Sequence, residues 1–224
     1  MPEPAYNRLN VDERRRRLIE AGSRLFAEHA FEEISMRQIA TAAGISKSLL
    51  YHYFPSKTEL FKAAVQQHAE DLQHLIQPDG DRPPLEELAS NLDAYLAWIQ
   101  DNARTWSKLM QSAATLPEAR TIVEAFRERT LQQIVTGLTG ANQPRPALRS
   151  ALKGWLGYID AAVLDWIDND GLDRAQLRDM LVAAFGAAVI AAQQADPDIS
   201  LPLPPESQPH PGPSAKRQAA SKSA

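Results

Sequence analysis

An all-α fold is predicted by dense helix-start punctuation, by apolar residues recurring at three- and four-residue spacing, and by a near absence of strand punctuation. Asn10-x-x-Glu13, Ser35-x-x-Gln38, Ser56-x-x-Glu59 and Asp173-x-x-Gln176 each put a capping oxygen three residues before a side chain that can reach back. About nine helices follow. The first runs from Asn10 to about His29, with Leu18, Ala21, Leu25 and Phe26 inward. The second spans Ser35 to Ala43, burying Met36, Ile39 and Ala40, and Gly44 ends it in the left-handed conformation that suits a residue without Cβ. Ser46 caps a third helix that stops at Pro55, and a fourth starts at Ser56 and continues towards Ile76. Beyond the loop QPDGDRPP, a fifth carries Leu85, Leu88, Leu92, Tyr95, Leu96 and Ile99 on one stripe. Further helices read at about 102–112, 117–137, 146–169 and 173–195. From Asp196 on, seven of 29 residues are Pro, a composition expected to stay disordered.

The organisation read from this pattern is an N-terminal three-helix unit over 8–55, a helical unit over 56–195 bridged to it by the helix from Ser56, and a tail over 196–224. The 224 residues contain no Cys, which removes disulfides, thiol catalysis and cysteine metal sites together. The N-terminal stretch has no apolar core of a secretory signal, and the run Leu181 to Ala192 is shorter than a membrane span, so a cytoplasmic location is expected. Residues 1–60 hold nine basic side chains against eight acidic ones, and the remainder 15 against 20. This mild asymmetry does not decide the function. His68 and His74 do not share a helix face, and there is no phosphate loop or nucleophile motif. Neither a metal, a cofactor nor an enzymatic activity is expected.

Two short helices around a Gly-containing turn have helix-turn-helix spacing. In that motif the second helix lies in the major groove, so it must bury one side and display contact groups on the other. Leu50, Tyr53 and Phe54, with Ile45 at the turn, make the buried stripe. Lys47, Ser48, Tyr51 and His52 then face outward, with chemistry suited to phosphates and base edges. Such spacing also fits an ordinary amphipathic helix with a solvated face, and the run Arg14 to Arg17 fits either reading.

The stretch FEEISMRQIATAAGISKSLLYHYFPSKTELF resembles the DNA-binding domain of the tetracycline-repressor (TetR) family of bacterial transcriptional regulators, from about Leu18 to Phe61. The resemblance implies contacts to DNA from Ser35, Arg37 and Thr41 on the first helix of the motif. It implies further contacts from Ser46, Lys47, Ser48, Leu49, Tyr51 and His52 at the recognition helix, and a phosphate contact at Lys57. It also implies a variable all-α domain for ligand binding and dimerisation.

Within that second unit, Gly154, Gly157 and Ala161 form a small-residue strip nearly opposite the core face of their helix, and Leu181 to Ala192 is apolar all round. The dimer interface is therefore expected on Gly154, Ala161, Leu181, Ala184 and Ala188. Trp98, Trp106, Met110, Phe126, Trp155 and Tyr158 are large side chains on successive helices, fit either for plain core or for the lining of an apolar ligand pocket. Asp160 and Asp165 near that pocket would favour a cation, unless they simply face solvent. The expectation is a homodimeric regulator, a repressor rather than an activator, that binds an inverted repeat in duplex DNA and is released by a small apolar or amphipathic ligand. The alternative is a helical adaptor that binds protein and neither DNA nor ligand.

Overall fold

The computed structural model describes residues 11–77, 82–141, 143–169 and 171–201. Among them are eight α-helices and no strand: α1 (Val11–Glu28), α2 (Met36–Ala42), α3 (Lys47–Tyr53), α4 (Lys57–Leu75), α5 (Pro84–Thr115), α6 (Pro117–Thr139), α7 (Pro146–Asp168) and α8 (Arg174–Ala195). A single 3₁₀ turn, Phe31–Glu33, joins α1 to α2. Ser35, Ser46, Ser56 and Asp173 accept from the backbone N–H groups of Gln38, Leu49, Glu59 and Gln176. Each such cap is worth about 1 kcal/mol. The Asn10 cap lies outside the described residues.

Eight helices replace nine because the two expected around residues 85–112 are one helix. Asn102 leaves helical geometry (φ −124°, ψ 23°), and its Nδ2 donates to the Trp98 carbonyl at 2.9 Å. The side chain thus serves a backbone acceptor that the kink sets free, and the chain bends instead of stopping. Tyr95 and Trp106 are eleven residues apart on one face, about 16 Å along a straight helix. The bend brings their ring centroids to 5.8 Å.

Two hydrophobic cores result. Leu18, Ile19, Phe26, Ile39, Leu50, Phe54, Leu60 and Phe61 form the first, joined by Ala119 of α6. The second is built on Leu96, Ile99, Leu152, Trp155, Leu177, Leu181 and Phe185. Helix α4 serves both, with Leu60 to Val65 in one and Leu72 in the other. Gly44 has φ +67° and closes α2 with a paired turn, Ile45 N–H donating to the Ala40 carbonyl and Gly44 N–H to that of Thr41.

Two expectations need correction. The ordered chain does not end at Ala195. Ile199 and Leu201 are buried in the second core, and the Arg145 guanidinium binds Asp196 at 2.6 Å and Asp198 at 3.1 Å. The Arg145 hydrogen bond holds the Asp196 carboxyl below its ordinary value. The Pro-rich remainder, 202–224, lies outside the described residues. Leu181 is not an interface residue: it is 0% exposed, and its carbonyl accepts from Trp155 Nε1 at 2.9 Å.

Helix α8 has the length expected, and its 22 residues reach well beyond the apolar run Leu181 to Ala192. By length and composition it could cross a membrane. Its inner side, however, is packed into the protomer core through Leu177, Leu181, Phe185, Val189 and Ala192. Its outer side stays apolar too, with Met180 38% and Ile190 41% exposed.

Candidate nucleic-acid interface and internal cavity

Helix α3 has seven residues, so it owes its place to packing rather than to intrinsic stability. Leu50 (0% exposed) and Phe54 (2%) seat it on the first core, while Tyr53 and Ile45 are half-buried beside them. Each fully buried side chain of this size contributes about 1.5–3 kcal/mol. The opposite face is open. Lys47, Ser48, Tyr51 and His52 are exposed, and Leu49 is half-exposed between them. The Lys47 ammonium sits 5.6 Å from the centre of the Tyr51 ring, so charge and phenol present one joint surface. Ser46 Oγ and Ser48 Oγ are 3.0 Å apart at the start of the helix. On α2 and its cap, Ser35, Arg37 and Thr41 are exposed as well, with Thr41 Oγ1 donating to the Arg37 carbonyl.

The arginine run on α1 divides. Arg15 lies over the Phe54 ring at 5.1 Å, and Arg17 pairs with Glu13 at 2.8 Å. Lys57 departs most from expectation. Its Nζ donates to the carbonyls of Phe31 (2.6 Å) and Ile34 (2.8 Å) and stands 4.3 Å from the centre of the Phe31 ring. The ammonium therefore ties the start of α4 to the 3₁₀ turn and to the entry of α2, with its donors spent on the protein. Lys57→Met is expected to cost about 1–3 kcal/mol of stability, because carbonyls lose charged donors, and to leave the salt dependence of DNA binding unchanged. Thermal unfolding and a salt titration of the variant check both; a phosphate contact would instead lower the salt slope by about one.

Between α5, α6 and α7 lies a chamber of about 400 Å³. Trp106, Phe126 and Trp155 line it, as the sequence suggested. Trp98, Met110 and Tyr158 do not. The Trp98 ring packs on His68 at 6.1 Å, Met110 packs against the second core, and Tyr158 is 40% exposed on the outer face of α7. Burial lowers the His68 pKa, against the opposing effect of Asp71. Asp165 is exposed and accepts from Asn169 Nδ2 at 3.0 Å, away from the chamber lining.

Sequence reasoning missed most of the polar lining: Arg82 before α5, Glu87 and Asn91 on α5, and Arg127, Thr130 and Gln133 on α6. A signal was available on α6, where Val123, Phe126, Arg127, Thr130, Ile134 and Gly137 recur at three- and four-residue spacing. Arg127 Nη2 donates to Asp160 and Nη1 to Glu124. Burial nevertheless raises the Asp160 pKa, opposed by the Arg127 charge. Burial also pushes the Tyr95 phenol up, with Asp160 adding and Arg127 subtracting.

Residues 18–64 match the family model of the bacterial regulatory proteins, tetR family, and residues 84–188 match a tetracyclin repressor-like C-terminal domain. The HTH-type transcriptional repressor AcnR of Corynebacterium glutamicum is 30% identical over 162 residues, which cover 70% of this chain and 86% of that protein. The chain belongs to the TetR family. It is, with that family, a DNA-binding transcriptional regulator. The HTH-type transcriptional activator FasR of Mycolicibacterium smegmatis is 44% identical over 66 residues, but that match spans only 30% of either chain. A crystal structure of a tetR-family transcriptional regulator from Streptomyces coelicolor superposes with a TM-score of 0.75 at 29% identity, covering 84% of this chain and 86% of that one. The TetR assignment places α2 and α3 within the matched DNA-binding segment and the chamber-bearing helices α5 to α7 within the matched C-terminal one.

Proposed function

We propose that the chain is a homodimeric repressor that holds an inverted-repeat operator and lets go when a small amphipathic molecule enters the chamber. The observation that carries this is the sharing of elements between chamber and DNA head. Ile76, at the end of α4, lines the chamber, while Leu60 and Phe61 at its start hold the core on which α3 sits. A second link runs through the α5–α6 corner. Trp106 and Val123 line the chamber, and Leu109 and Ala119, one turn away from each, pack on the head. A molecule that widens the chamber must push on both links.

Repression is preferred because AcnR, a relative matched over most of its length, is named a repressor. Dimerisation is supported by the outer stripes of α7 and α8. Gly154, Gly157, Tyr158 and Ala161 are exposed on one, and Met180, Ala183, Ala187 and Ile190 on the other, while Ala184 and Ala188 are half-buried. A Cβ added at Gly154 or Gly157 would meet nothing within 4 Å, so the protomer itself has no use for these helix-weakening residues. Close approach of a second copy would explain them.

Selection of bound duplexes from random DNA tests the reading. The expected product is an inverted repeat with half-sites one helical turn apart, roughly 34 to 36 Å, or a little more. A selected site without two-fold symmetry would overturn the dimeric operator. Linkage adds a second demand: any ligand that weakens operator binding must itself bind more weakly, by the same factor, to the operator-bound protein.

A further inference from the structure

Six buried side-chain polar atoms among the described residues have no hydrogen-bond partner, and four of them belong to chamber-lining residues: Glu87 Oε2, Trp106 Nε1, Arg127 Nε and Thr130 Oγ1. Buried polar groups of folded proteins are nearly always partnered, so their gathering around one cavity points to a guest with polar atoms of its own. Trp155 makes the contrast. It lines the same chamber, yet its indole N–H is already spent on the Leu181 carbonyl.

Three of the four belong to Trp106 on α5 and to Arg127 and Thr130 on α6, two helices that pack together. The Trp106 ring stands 5.8 Å from that of Tyr95, whose phenol is within electrostatic reach of Arg127 and Asp160, and Thr130 follows Arg127 by one turn of α6. An indole N–H and a guanidinium N–H can only donate, and a hydroxyl can do so too. What they need is an acceptor. An ammonium offers none. A carboxylate offers two oxygens, but the Arg127 charge is already met by Asp160 and Glu124, and a third anion would sit beside the Asp160 carboxylate. Glu87, eight residues before Tyr95 on α5 and about 12 Å away at the helical rise, shares the lining with Arg82, so that end offers an anion no net charge. The rest of the lining includes Leu88, Leu92, Ile134, Leu156 and Phe185.

We infer that the chamber takes a neutral, hydrocarbon-rich ketone, ester or amide, whose carbonyl oxygen accepts from Trp106 Nε1, Arg127 Nε and Thr130 Oγ1. The inference rests on the chamber being the ligand site of the regulator, and it narrows an amphipathic ligand to an uncharged one. Asp160 itself no longer argues for the cationic ligand that it suggested in the sequence, since Arg127 neutralises that carboxylate.

The test compares probes of matched length on the full-length protein: undecyl methyl ketone, dodecanoate, dodecylamine and dodecane, titrated by calorimetry. The ketone is expected to bind about tenfold more tightly than each of the other three, the effect of one or two well-placed hydrogen bonds. Trp106→Phe and Thr130→Val should each reduce the advantage of the ketone over dodecane about fivefold. Tightest binding of dodecanoate or dodecylamine overturns the inference, as does parity of ketone and dodecane, or binding of none. Full ketone affinity in both variants would mean that ordered water alone serves these atoms, and would overturn it equally. Operator release is read separately by fluorescence anisotropy of labelled DNA. A ketone that binds as described without releasing DNA leaves the ligand class standing and removes the release mechanism.

Discussion

Tyr51→Ala is expected to abolish specific operator binding while leaving the fold intact. The ring is 42% exposed on α3, opposite Leu50 and Phe54, and the Lys47 ammonium stands 5.6 Å from its centre. Nothing in the core rests on it, so stability should move by no more than about 0.5 kcal/mol. A lost base-edge contact costs about 1–3 kcal/mol, and a two-fold operator would feel it at both half-sites. Operator affinity should then fall by about 30-fold at the least, while binding to unrelated duplex changes little. Leu50→Ala supplies the comparison. That side chain is fully buried, so its truncation should cost about 2–5 kcal/mol of stability and lose specific and non-specific binding together. Gel shift on selected and scrambled duplexes, with melting curves for both variants, separates the cases. Tyr51→Ala binding the operator like wild type would show that α3 does not read DNA.

The parts of this molecule that could be read in advance are those fixed by neighbours in the chain. Ser35, Ser46, Ser56 and Asp173 cap where they were expected to, because a cap needs only a backbone N–H three residues on. The two faces of α3 follow from helical spacing alone. Where distant segments decide, the sequence was silent. Lys57 finds its carbonyl partners 23 and 26 residues away, so an exposed-looking cation turned out to be a clamp. Leu181 and Ala187 are both apolar residues of one helix, and only packing says that the first faces the protomer core and the second faces outward. Ile199 and Leu201 looked like part of a Pro-rich tail until the second core gave them a surface. In the chamber, large aromatics were conspicuous, but Trp98 and Met110 fill other spaces, whereas Thr130 was marked only by its place in the α6 spacing and Glu87 carries its polar chemistry without any local mark.

Ala187→Arg is expected to convert a dimer into a monomer of 24.8 kDa and, with it, to end tight operator binding. Between Met180 and Ala192 helix α8 has no polar side to turn to water: Leu181, Phe185 and Val189 fill the protomer core, while Met180, Ala183, Ala187 and Ile190 remain outside. A helix apolar on both sides through its middle needs two partners there, and the protomer supplies one. The adjoining stripe on α7 sets the small residues Gly154, Gly157 and Ala161 beside the exposed Tyr158, which leaves room for a second helix to meet it at close range around the glycines. A two-fold axis sets each substitution against the same surface of both copies, so two guanidinium groups would enter a dry, closely packed contact with no carboxylate placed for them. Burying an unpaired charge costs several kcal/mol, and each 1.4 kcal/mol is tenfold in the dimerisation constant. Inside the protomer Ala187 touches the core with nothing, so circular dichroism of the isolated variant should match wild type. Leu181→Ala must behave differently, losing about 2–5 kcal/mol of folding stability from a core cavity. Light scattering across a micromolar concentration series decides. A variant that stays dimeric, or a wild-type chain that is already monomeric, would mean that the outer faces of α7 and α8 meet something other than a second copy.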